Sequence, residues 1–270
     1  MGPIRGRLAR LALRECSHSP TIRHMNAGGL GALLAEAFEL YRRNVRVVLG
    51  VTIPIVVIVT GVTALGLGEL TARFNPAPPS RDVLIDVLAS GLVTVPLISA
   101  ILAQLVVATR RGERPAVTEL VGNALEVFPT VLLVIVVWLA VSFAGLVTLI
   151  APGIYIFVSW YFVVQAVVID GDRGIAPIAR SAALVRGHWW QSLGTGIAFV
   201  FAAALVPQLV LDFAFTPVAR SANSYAVVVA VVAIARVIAL PFVAIGSTLY
   251  YLQLREAAAA AGSGPPPRRF

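Results

Sequence analysis

The sequence predicts an all-α fold, a polytopic helical bundle built for a bilayer. Three observations predict it. Hydrophobic residues make up 59% of the 270 and charged residues only 13%, about half the charge of an ordinary soluble domain. Six apolar runs are long enough, or nearly so, to cross a hydrocarbon core of ~30 Å, which takes roughly 17–25 helical residues. The net charge of +8 comes from arginine alone, since the chain has no lysine, and those arginines are unevenly placed.

The six predicted spans are 45–68, 83–108, 131–150, 154–169, 192–211 and 225–251. Runs such as VLLVIVVWLAV do not alternate, so they argue against β-barrel strands, whose two faces differ in polarity. Threading six helices through the bilayer puts most arginines on one side, among them Arg42, Arg43, Arg46, Arg110, Arg111, Arg114, Arg173, Arg180, Arg186 and Arg255. Only Arg73, Arg81 and Arg220 fall opposite, and Arg236 lies within a span. The positive-inside rule then expects both termini in the cytoplasm and a cell-membrane location. A pI near 10.7 would suggest nucleic acid in a soluble protein. Here anionic lipid headgroups account for the same charge, so membrane lipids are the expected partners and nucleic acid is not.

Residues 1–28 read as a basic, disordered tail without the apolar stretch of a signal peptide, and Met25 is an alternative start. Cys16, His18 and His24 match no zinc spacing, so no metal and no cofactor is expected. Leu30, Leu33, Leu34, Ala37, Phe38 and Tyr41 recur at helical spacing. They predict an amphipathic helix at the interface, with Glu39 and Arg43 paired four apart. Pro54 and Pro96 lie inside the first and second spans, and Asp82 and Asp86 begin the second, where acids suit a helix N-terminus. Pro115 starts a short interfacial helix that Phe128-Pro129 should break before the third span. The Ala151-Pro152-Gly153 turn joins spans three and four as a tight hairpin.

The fourth span stops at Asp170 and hands over to a short basic helix opened by Pro177 and closed by Gly187. Arg180, Arg186, Trp189 and Trp190 are its candidate contacts to lipid headgroups or to a protein partner at the cytoplasmic face. The competing reading is a simple interfacial anchor. Gln165 should face protein rather than lipid. Arg236 is an ionisable residue at membrane depth and therefore a candidate functional group. Asp212 and Gln208 are its expected partners, with a purely structural pair as the alternative. Residues 29–256 form the membrane domain, and 257–270 read as a disordered tail.

Three stretches together carry a family likeness. Residues 30–44 read LGALLAEAFELYRRN. Residues 152–194 carry PGIY, Trp160, ARS, LVRG and the paired tryptophans. Residues 241–255 read PFVAIGSTLYYLQLR, and RGERP stands at 111–115. The chain resembles the multi-helix membrane domain found beside some glycerophosphoryl diester phosphodiesterases, which also occurs as a stand-alone bacterial protein. It departs from the family pattern at Ala35 and Gln253, where relatives often have acids. No segment outside the spans could hold a phosphodiesterase barrel of ~250 residues. The resemblance therefore implies a membrane architecture and no hydrolase activity.

The chain has no HExxH, no GxSxG and no phosphate-binding glycine loop. The expected function is a non-catalytic scaffold or accessory subunit of the membrane. The alternative is a transporter for a lipid-like or amphiphilic solute. A polar cavity around Arg236 would favour transport, and a bundle packed solid there would favour the scaffold.

Overall fold

The computed structural model describes residues 29–66, 88–201 and 224–260, together with 85, 86, 209, 213, 217, 218 and 221. These residues are mostly helical and contain no strand. Residues 1–28, 67–84, 87, most of 202–223 and 261–270 lie outside them. Five helical stretches among the described residues are long and apolar enough to cross a membrane, with Ile150–Asp170 counted as one. The predicted fifth span, 192–211, is described only over its first part.

An amphipathic helix, α1 (Leu30–Arg43), precedes α2 (Val45–Gly66) with Asn44 alone between them. The apolar stripe of α1 packs on the bundle. Leu33 and Ala37 are buried against the rest of the bundle, because that apolar stripe meets α9. Glu39 pairs with Arg42, three residues on, rather than with Arg43.

A π-helical turn at Ser90–Thr94 leads into α3 (Val95–Arg110). The Val95 N–H reaches back to the Ser90 carbonyl, and Pro96 then has no N–H to carry that i→i+5 register further. The α-register resumes there. Helix α3 is the most enclosed long element, with Ile98, Ala100, Ile101, Leu102 and Ala103 fully buried.

Helix α4 (Val117–Thr148) corrects the expected break at Phe128-Pro129. It runs through Pro129 without interruption. Proline removes one backbone hydrogen bond, a loss that neighbouring helices make tolerable in membrane helices. The turn expected at Ala151-Pro152-Gly153 is also helical. Only Leu149 is extended (φ −152°, ψ 122°), and α5 (Ile150–Ser159) begins directly after it. Gly153 instead lets two backbones meet. A Cβ there would come within 2.5 Å of the Leu146 nitrogen, and one at Gly145 within 3.1 Å of the Gly153 Cα.

The fourth span is not one helix. It breaks at Trp160–Tyr161–Phe162 and resumes as α6 (Val163–Asp170). Gly171 in the left-handed region (φ 65°) ends α6. Next come α7 (Ala176–Val185), opened by Pro177 as expected, and α8 (Trp189–Val200). The last helix, α9 (Tyr225–Ala260), runs through Pro241 and past the expected end of the domain. Its AAAA terminus explains the extension, alanine being the strongest helix former. Helices α3 and α9 form the centre. Helices α1 and α2 pack on α9, the α4–α5 hairpin and α6 pack beside α3, and α8 leans on α9 and α5.

Candidate functional site

Among the described residues, the ion pairs that join helices gather at two places along α9. The larger centre begins with the break in span four. Ser181 on α7 closes that break. Its hydroxyl donates to the Ser159 carbonyl at 2.8 Å and accepts the Phe162 N–H at 3.2 Å. One serine thus satisfies a donor and an acceptor that the lost helical turns leave open. It also fixes α7 against the broken helix, which brings Arg180 to the end of α6.

Arg180 donates to Asp172 through Nε and, at 3.3 Å, through Nη2. It also lies 3.4 Å from Asp170. Asp170 further accepts the Tyr251 hydroxyl, and Arg255 lies 3.2 Å from its other oxygen. The two aspartates are 5% and 3% exposed. Burial on this scale is costly for an unpaired carboxylate and is met here by two guanidinium groups and a phenol. The hydrogen bond that Arg180 donates to Asp172 holds its guanidinium above its ordinary pKa, against the opposing effect of its burial. Two positive and two negative charges cancel. On the adjoining side, Arg110 joins Glu36 of α1 at 2.9 Å to Glu256 of α9 at 3.5 Å.

The smaller centre is the pair of Arg236 with Asp86. Nη1 and Nη2 engage the two carboxylate oxygens at 3.0 and 2.5 Å. The expected partners of Arg236, Asp212 and Gln208, lie outside the described residues. Asp86 was expected only as a helix-start acid, and no local spacing links it to a residue 150 positions away. Arg236 and Arg255 are 19 residues apart on α9, roughly 29 Å at 1.5 Å per residue.

Gln165 does face protein. Its amide donates to Ser247 at 3.1 Å, while its Oε1 has no hydrogen-bond partner. The basic elbow divides. Arg180 turns inward to the aspartates, where a headgroup contact was expected, because Asp172 follows the left-handed Gly171 and swings back over α7. Arg186 is exposed, and among the described residues no carboxylate pairs with it. Trp189 stacks on Tyr155 with ring centroids 5.9 Å apart and donates to the Tyr155 carbonyl at 3.5 Å. Trp190 meets Trp189 edge to face and is 78% exposed.

Above these tryptophans lies an apolar groove of about 730 Å³. Helix α4 supplies Leu139, Ser142, Phe143 and Leu146. Helix α5 supplies Ile154, Phe157 and Val158, and Tyr161 adds its ring. Leu193, Gly196, Ile197 and Phe201 close the third side along and just past α8. Among the described residues no three His, Cys, Asp or Glu side chains gather as metal ligands. Cys16, His18 and His24 lie outside those residues. Taken together, the fold and its paired charges define a helical bundle with five helices fit to cross a membrane. No family model matches the chain, and neither does any curated protein or solved structure.

Proposed function

We propose that this protein is a non-catalytic integral membrane protein, a scaffold or accessory subunit of the cytoplasmic membrane with both termini inside the cell. The observation that carries the reading is the closure of the buried charges. Asp170, Asp172 and Arg180 are bound to one another and to Arg255 and Tyr251, and Arg236 is bound to Asp86. Charges spent on holding helices together are a structural investment. A site that binds and releases a polar solute needs groups left open. The ~29 Å between Arg236 and Arg255 is close to the thickness of the hydrocarbon layer. On that spacing Arg236 belongs near one edge of the bilayer rather than at its middle. The sequence likeness to the phosphodiesterase-associated membrane domain supports the same architecture.

The apolar groove favours a second reading, a carrier for a lipid-like or amphiphilic solute. Affinity purification of the full chain in mild detergent tests the choice. A scaffold brings down a protein partner in fixed ratio. A chain that purifies alone and, in proteoliposomes, exchanges a fluorescent phospholipid between leaflets is the carrier. Orientation is tested separately: a periplasm-active phosphatase fused after Phe270 is expected to be silent, and an active fusion reverses the topology.

A further inference from the structure

We propose that the groove between α4, α5 and α8 holds an acyl chain of one anionic phospholipid, whose phosphate meets Arg186. The argument starts from the groove wall. Leu193, Ile197 and Phe201 recur along one stripe of α8 and just past it, and the same stripe runs back three residues to Trp190. Trp190 stays 78% exposed although it is one of the two largest apolar side chains of α8. An indole left open one turn before the groove residue Leu193 suits a membrane–water boundary, where its ring and N–H meet different media. Trp189 and Tyr155 stack at the same end, so three aromatic rings mark where hydrocarbon gives way to headgroups.

Charge fits that end. Arg186 precedes Trp189 by three residues, at most about 10 Å of chain. It is exposed, with no carboxylate partner among the described residues. Arg180, in contrast, is consumed by Asp172 and Asp170. The groove itself offers only carbon, two serine hydroxyls and a phenol, which suits a hydrocarbon tail and no polar solute. Apolar wall, interfacial aromatics and free guanidinium follow one another as tail, backbone and phosphate do in a phospholipid. The inference rests on the chain lying in a bilayer. It is independent of whether the protein is a scaffold or a carrier.

The chain's four tryptophans include Trp189 and Trp190 at this end and Trp138 against the groove residue Phe157, which supplies the readout. The full chain is reconstituted in vesicles of phosphatidylcholine with a small fraction of phosphatidylglycerol. One lipid or the other carries brominated acyl chains that quench indole fluorescence. Brominated phosphatidylglycerol is expected to quench well beyond its mole fraction. Arg186→Gln should cut that preference about fivefold, the weight of one cation at an anionic leaflet. Gly196→Leu should lower quenching by both lipids, because its side chain enters the groove. A Cβ at Gly196 meets nothing within 4 Å, so the substitution starts from open space in the groove wall. Equal quenching by the two lipids in the unaltered chain overturns the proposal. So does a Gly196→Leu protein that quenches like the original, since the headgroup would then bind without the groove. Loss of the protein partner with the lipid preference intact would sink the scaffold reading and leave this one standing.

Discussion

The aspartate network beside Tyr251 and the Arg236–Asp86 pair solve one problem in two ways. Both place a guanidinium against a carboxylate between helices far apart in sequence. In the network, Asp170 answers to Arg180, Arg255 and Tyr251 at once, and its side chain is 5% exposed. In the pair, one arginine meets one aspartate, and their side chains are 23% and 36% exposed. Depth of burial sets what each contact is worth. A buried carboxylate that loses its partners leaves uncompensated charge behind, whereas a half-exposed pair can fall back on water or headgroups. The network ties α6, α7 and α9 into one unit. The pair only pins the start of the second span to the last helix.

That contrast can be broken by substitution. Asp170→Ala should have the largest effect, a loss of about 3–5 kcal/mol, because it strands Arg255 and the Tyr251 hydroxyl and leaves Arg180 with Asp172 alone. It should appear as loss of the monodisperse peak after mild heating in detergent. Survival of that peak at the original temperature would mean that the network is not a unit. Tyr251→Phe removes one donor to Asp170 and should cost about 1–3 kcal/mol, read as a lower thermal midpoint in the same assay. For the pair, the double-mutant cycle of Arg236→Ala and Asp86→Ala should give a coupling of roughly 1 kcal/mol. Arg236→Lys should be milder than Arg236→Ala. A coupling as large as that between Asp170 and Arg255 would erase the distinction between the two regions. Arg42→Ala, which breaks an exposed ion pair three residues apart in α1, should shift stability by less than about 0.5 kcal/mol and sets the floor of the scale.

The helical class and most span positions were legible because apolar length is a one-dimensional property. Pro177 and Gly187 likewise announced their turns through fixed local geometry. Pro129 misled, because proline's local cost was outweighed by the apolar helix around it. Gly153 was read as a turn residue, while its use is to let Gly145 approach, a property of the partner helix as much as of its own sequence. Arg180 and Asp172 stand eight residues apart across a turn, and only the left-handed Gly171 and the Ser181 bridge bring them together. Asp86 and Arg236 carry no local mark of each other at all. Ser181 itself lies within the ARS motif of the family likeness. Its role depends on a helix break that apolarity conceals, since Trp160, Tyr161 and Phe162 fit a continuous span as well as a broken one.

The unbroken course of α4 has a mechanical corollary. Its 32 residues make a rod of roughly 48 Å, longer than the oily layer is deep. Its far half carries Leu139, Phe143 and Leu146 along the cleft, while Leu120 and Ala124 anchor its first turns in the core. In a bilayer a helix of that length must tilt or stand proud of the hydrocarbon.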